Sequence, residues 1–236
     1  LTDGVAHWQR RVMLSSHPHF LQSIVRAALP LLLLSTAGCA RKSPASSDAA
    51  TNAAAPTAIA KFRAEKDAFL RDDPQSPFKA DPPVAFAPLK YFPPDPAWIF
   101  ESRLNIYPEL KPVVILDTKG SRRDGVLFGY LEFTRDGAVR KLNVYRMTGP
   151  IRGIYHYAIW FTDRTTGDST YEVGRYLDFQ KDEDSAHVYT IDFNLAYNPY
   201  CAYSSAYACP IPRVEDHLDL AITAGEKKWH QDGSKK

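Results

Sequence analysis

The alternation of apolar and polar positions divides the chain into stretches of different period. Ala27–Gly38 reads AALPLLLLSTAG, an uncharged and mostly apolar run of 12 residues. Ala40–Pro56 (ARKSPASSDAATNAAAP) has no apolar period at all. Over Ala58–Asp72 a helical period appears. Ile59, Phe62, Phe69 and Leu70 fall on one stripe, with Lys61, Arg63, Glu65 and Lys66 around the rest. This predicts an amphipathic helix with Thr57 as its N-cap. Asp73-Pro74 and Ser76-Pro77 end it, because a residue before proline is driven out of the helical region. Pro82–Pro96 carries Phe86, Leu89, Tyr91 and Phe92 between its prolines. Proline cannot donate to a strand ladder, so this stretch is expected to be an extended, packed-down connection.

Beyond Trp98 the period is two. Val126–Arg135 and Ala138–Met147 flank Asp136-Gly137, a strong hairpin signal. Gly153–Asp163, Ser169–Phe179 and Ala186–Asn194 follow as further strands, separated by the turns Thr165-Thr166-Gly167-Asp168 and Lys181–Ser185. Leu218, Leu220 and Ile222 alternate with Asp219, Ala221 and Thr223, which predicts a half-buried strand. The expected fold is mainly β: an antiparallel meander that protects its edges by forming a barrel or a sandwich, preceded by the amphipathic helix. The corresponding organisation is residues 1–38 as signal and upstream segment, 39–57 as tether, and 58–230 as one β-rich domain.

Composition sharpens this picture in one respect. The 236 residues carry 29 basic and 27 acidic side chains. Arg10, Arg11, Arg26 and Asp3 lie before Cys39, so the rest balances at 26 of each sign. A nucleic-acid partner would call for a basic excess on one face, and none is expected here.

The apolar run is too short for a spanning helix, which needs about 20 residues, and it suits the core of an export signal that begins near Met13. Thr36-Ala37-Gly38-Cys39 resembles the lipobox of bacterial lipoproteins. That resemblance implies cleavage before Cys39, a diacylglyceryl group on its thiol and an acyl group on the new amine, which together give stable membrane anchoring. Ala40 after the cysteine implies outer-membrane destination. The 17 residues of Ala40–Pro56 could then span ~50 Å between membrane and domain.

Cys201 and Cys209 remain in the folded part. In an oxidising compartment such a pair is expected to form a disulfide, worth about 2.6 kcal/mol in the chain-entropy model. Free structural thiols, or a metal or catalytic role, are the alternatives. The spacing fits no recognised zinc arrangement, and neither a metal nor an organic cofactor is expected. The chain has no G-x-S-x-G elbow, H-E-x-x-H, P-loop or G-x-G-x-x-G.

Unusual polar and aromatic residues concentrate in Thr166–Leu177 (TGDSTYEVGRYL) and Asp192–Tyr203 (DFNLAYNPYCAY), followed by Cys209-Pro210-Ile211-Pro212 and Ala224-Gly225-Glu226. These four runs resemble those of the bacterial family catalogued as domain of unknown function 1684. Arg63, Lys66, Asp67, Ser76 and Pro77 match its N-terminal pattern, so the resemblance spans Phe62–Lys227. It implies membership without implying an activity.

Strand parity places Tyr171, Val173 and Arg175 on one face, and Thr190, Asp192 and Asn194 on one face of the next strand. If the two faces coincide, Arg175, Asp192, Asn194 and Tyr171 form a polar cluster with Arg175 and Asp192 at ion-pair distance. Such a cluster could be a site for a small polar or glycan-like ligand, with Tyr197 and Asn198 nearby. It could also be the centre of a hydrolase-like enzyme, or a pair that only fixes register. Leu195–Arg213 fits no regular pattern. Its tyrosines could form a functional loop or a plug over the sheet.

Overall fold

The computed structural model describes residues 48–148 and 155–229, with side chains described from Ala58. Helix α1 runs Asp48–Asp72. It starts ahead of the expected boundary, so Thr57 lies inside it and does not cap it. Alanine-rich sequence favours helix, and α1 extends back to Asp48. The stripe behaves as expected at Ile59 and Leu70, which are buried, while Phe62 and Phe69 are half-buried. Lys66 departs from expectation. It stands four residues from both Phe62 and Leu70, hence on the apolar stripe, and is itself buried.

The strands are β1 (Ile99–Arg103), β2 (Asn105–Leu116), β3 (Arg122–Arg135), β4 (Ala138–Thr148), β5 (Tyr155–Asp163), β6 (Arg175–Leu177), β7 (Val188–Asp192) and β8 (His217–Leu218). The β3–β4 hairpin closes with Arg135 opposite Ala138. Both turn residues take positive φ, Asp136 at 53° and Gly137 at 71°, as a two-residue turn matched to strand twist requires. Strands β2 to β6 pair in chain order, and β8 joins β5 in parallel. The sheet does not close into a barrel, so the sandwich form of the expectation holds.

Three expected strands are shortened, Ala186–Asn194 to β7 and two others more severely. Of Ser169–Phe179 only β6 pairs, because the carbonyl of Thr165 collects the amides of Asp168, Ser169 and Thr170 in a tight turn. Of Leu218–Thr223 only the first residue lies in β8. Leu218, Leu220, Ile222 and Ala224 are nevertheless all buried, so the alternation is real. A further departure is topological. β7 leaves the main sheet and pairs with β1, Ile99 opposite Asp192. Strands β6 and β7 are consecutive in sequence but are not neighbours.

Both faces of the main sheet are covered. One face packs Leu131, Phe133, Leu142, Val144, Ile159 and Phe161 against Ile191 and Phe193 and against the segment from Leu218 to Ala224. The other face, with Ile115, Tyr145, Met147 and Trp160, lies under Tyr197 and Cys209. The tyrosine-rich loop is therefore an inner wall. Its outer side, Tyr200, Ala202 and Tyr203, packs against Leu70 of α1 and against Phe78 and Leu89 of the proline-rich connection.

Candidate functional site

Arg175 is the centre of the first buried polar group. It pairs opposite Phe161 at the start of β6, and its side chain lies inside the sandwich, 1% exposed. Nη2 donates to Asp163 Oδ2 at 2.6 Å and to the Ile222 carbonyl at 2.9 Å, and Nη1 donates to the Ala224 carbonyl. Burial pulls the Arg175 pKa down, and the Asp163 carboxylate opposes that pull. The guanidinium thus takes the place of a neighbouring strand. It satisfies the carbonyls of Ile222 and Ala224, which explains how that part of the chain stays buried without a ladder.

Glu226 is the centre of the second group. Its buried carboxylate accepts from Lys66 Nζ at 2.7 Å, from Asn198 Nδ2 at 2.9 Å and its amide at 3.1 Å, and from the Tyr203 hydroxyl. The preceding Gly225 has φ +76°, and a Cβ there would stand 2.6 Å from the Ala196 carbonyl, so only glycine lets the chain approach this closely. The Glu226 amide donates to that same carbonyl at 2.9 Å. The three residues of the Ala-Gly-Glu run therefore contribute different things. Ala224 offers a carbonyl to Arg175, Gly225 permits the close approach, and Glu226 supplies a carboxylate to the tyrosine-rich loop.

Asp192 stands apart from both groups, and the expected Arg175–Asp192 ion pair is not formed. Arg175 pairs with Asp163 instead, because β7 belongs to the other sheet. Asp192 caps the turn that follows: Oδ1 accepts from the Asn194 amide at 2.8 Å and from Asn194 Nδ2 at 2.9 Å. Asn194 is sealed, its Oδ1 accepting from the Asp95 amide and its Nδ2 donating to the Asp95 carbonyl. Tyr171 is in a third place, its hydroxyl 3.7 Å from Cys201 Sγ. The enzyme centre of Asp192, Arg175 and Tyr171 is thus not assembled. Asp192 does border an open depression of about 290 Å³ walled by Ile59, Phe62 and Leu195. Both described hydrogen bonds to its carboxylate use Oδ1. Burial raises its pKa, and the Asn194 bonds and the nearby Arg63 restrain the rise.

Tyr197 donates to Asp178 Oδ1 at 3.0 Å, and the Lys66 ammonium lies 5.2 Å from its ring centre. Asp178 is exposed as a residue, while surrounding protein atoms desolvate its carboxyl. Desolvation pushes its pKa up to about 6 against the Tyr197 bond and Lys66. Relative to an unfolded value of ~3.9, the folded state then holds a proton that the unfolded state has lost. Stability contributed by this group therefore falls as pH rises from about 4 to about 6. Asp178→Asn keeps an acceptor for Tyr197 and removes the titration. Its melting temperature relative to the parent should rise across that window and level off above it. Solvent exposure of the residue limits the gain to under ~1 kcal/mol. A difference between variant and parent that does not change with pH would contradict this assignment.

Cys201 and Cys209 are free thiols in the structure and not the expected disulfide, although the Cys201 amide donates to Cys209 Sγ at 3.3 Å. Cys39 lies outside the described residues. Among the described residues, no group of three His, Cys, Asp or Glu side chains is placed to hold a metal ion, and no helix is long and apolar enough to cross a membrane.

Sequence reasoning assigned no role to Lys66, Asp163 or Asp178, and quoted Glu226 only as part of a motif. A signal existed for Lys66, a lysine at the centre of an apolar helical stripe. Asp163 ends a strand of buried aromatic residues and precedes a threonine turn that it caps through the Thr165 amide. Its partner could not be read, since it lies twelve positions and a turn away from Arg175.

No curated protein matches the chain. Among solved structures it is similar to an uncharacterised protein of Haloarcula marismortui determined in solution by NMR. Sequence identity is 33%, the match covers 76% of this chain and 97% of that one, and the TM-score is 0.54. The model of the family described as protein of unknown function (DUF1684) matches residues 84–227. Arg175, Asn198 and Tyr203, and the Ala-Gly-Glu run they hold, fall within that match, and the chain belongs to this family.

Proposed function

We propose that the protein is a cell-envelope lipoprotein, anchored in the outer membrane through Cys39, whose β domain binds a small polar, glycan-like ligand over Asp192. The observation that carries the binding site is the depression itself. A carboxylate whose described hydrogen bonds both use Oδ1 borders an open concavity whose other walls are Ile59, Phe62 and Leu195. A sugar ring presents the complementary chemistry, an apolar face for the Phe62 side and hydroxyls for the carboxylate. The anchoring part rests on the apolar run and on the small residues before Cys39. Arg175, Asn194 and Asn198 do not contact the ligand in this reading, because all three side chains are buried in the core.

The test is a titration of the domain with soluble chitin and glucan oligosaccharides, followed residue by residue by NMR. Amide shifts should cluster at residues 58–62 and 192–195 and should be lost in Asp192→Asn, which retains the Oδ1 cap and so the fold. In parallel, Cys39→Ser should abolish acyl labelling and release the protein from membranes. Shifts confined to another face would reject the site. Silence toward every oligosaccharide would leave a structural role among other envelope proteins as the better reading.

A further inference from the structure

The two thiols meet where the tyrosine-rich loop returns over the β2–β3 turn. Cys201 is half-buried and Cys209 is 5% exposed. Both ends of this segment are pinned. The Cys209 amide donates to Thr118 Oγ1 at 3.2 Å, and its carbonyl accepts from the Thr118 amide at 3.0 Å. Lys119 Nζ holds the Ala206 carbonyl and an Arg123 Nη holds the Ala208 carbonyl, each at 2.9 Å. The Cys201 amide, 3.3 Å from Cys209 Sγ, completes the frame.

The two sulfurs are not equivalent. Cys201 is the more exposed residue of the two, and its Sγ accepts hydrogen bonds from the Cys209 thiol and from the Tyr171 and Thr118 hydroxyls. Those donors favour the thiolate, and the Cys209 bond in particular lowers the Cys201 pKa against the effect of burial. Cys209, the donor in that bond and the more deeply placed, has its pKa raised by it and by burial. A thiol on the more exposed residue, disposed to ionise, beside a buried one disposed to stay protonated, is the asymmetry that stepwise thiol–disulfide exchange requires.

We propose that Cys201 and Cys209 form a redox-active dithiol that exchanges with small-molecule disulfides, Cys201 attacking and Cys209 resolving. In the first step the Cys201 thiolate attacks one sulfur of RS–SR. That S–S bond breaks, RS⁻ leaves and takes up a proton, and Cys201 carries SR as a mixed disulfide. In the second step Cys209 loses its proton and attacks Cys201 Sγ, releasing the second RSH. The two cysteines together lose two electrons and two protons, and RS–SR gains them. This assignment stands independently of the ligand reading at Asp192.

The test uses the full chain carrying Cys39→Ala, so that only this pair can react, with oxidised glutathione as the probe. The dithiol protein should convert to an intramolecular Cys201–Cys209 disulfide, and reduced glutathione should reverse the conversion without unfolding. Cys209→Ser should accumulate glutathione on Cys201. Cys201→Ser should leave Cys209 unmodified, or modified at least tenfold more slowly. A measurement that leaves both thiols of the pair unchanged is limited alkylation of the reduced dithiol protein with iodoacetamide, which should label Cys201 first. Equal labelling of both thiols, inertness of both toward oxidised glutathione, or a disulfide that reduced glutathione cannot open in the folded state would each overturn the proposal.

Discussion

Arg175→Met should lower stability by about 3–5 kcal/mol, the cost typical of breaking one side of a buried ion pair. For a domain of this size that corresponds to a fall of roughly 10 °C or more in melting temperature. The substitution strands the Asp163 carboxylate inside the sandwich, where the side chains of the pair are 1% and 0% exposed. It also removes the donors of the Ile222 and Ala224 carbonyls, which have no strand partner to fall back on. Arg175→Lys should recover only part of the loss, because an ammonium cannot hold a carboxylate and a row of carbonyls in the planar geometry of a guanidinium. Arg164→Ala is the natural control. Its ion pair with Asp219 is 2.7 Å long but 60% and 78% exposed, and its loss should barely change the melting temperature. Comparable losses in Arg175→Met and Arg164→Ala by thermal or denaturant melting would refute the role given to Arg175.

Lys66→Met should also be strongly destabilising, by about 3 kcal/mol or more, although it makes the helical stripe continuous in hydrophobicity. The cost arises at Glu226, which keeps Asn198 and Tyr203 as donors but loses its only cation at ion-pair distance among the described residues. Glu226→Gln in the Lys66→Met background removes the stranded charge and should restore a large part of the stability. A double-mutant cycle should therefore show a coupling of about 2 kcal/mol or more between the two positions. Additive effects would mean that Lys66 and Glu226 act independently and that the 2.7 Å contact has no energetic weight.

Both predictions concern residues that sequence reading either overlooked or placed with the wrong partner. The hairpin at Asp136-Gly137 was legible because a two-residue turn with positive φ is a local requirement that few residue types meet. The buried positions Leu218, Leu220 and Ile222 were legible because alternation reports burial directly, whether or not a ladder forms. The proline-rich connection was legible because proline excludes a central strand wherever it stands, and Leu89 and Phe86 do pack down as expected.

The candidate site was legible only in part. Asp192 borders an open depression, while Arg175, Asn194 and Asn198 are sealed in the core. Residue type shows that a guanidinium needs a partner and does not say which carboxylate supplies it. The choice between Asp163 and Asp192 depended on whether β7 followed β6 into the main sheet or crossed to β1. Turn chemistry between them is silent on that point. The strand goes where its apolar face, Tyr189, Ile191 and then Phe193, finds the larger core.

By itself the sequence determined the mainly β class, the helix stripe, the central hairpin and the family motifs, since each follows from period, turn chemistry or residue order along the chain. Only the tertiary structure decided that Arg175 stands in for a missing strand, that Lys66 enters the core to meet Glu226, and that the tyrosine-rich loop is an inner wall. These are contacts between residues 12 to 160 positions apart, set by which apolar faces close on one another, and no local pattern encodes such a choice.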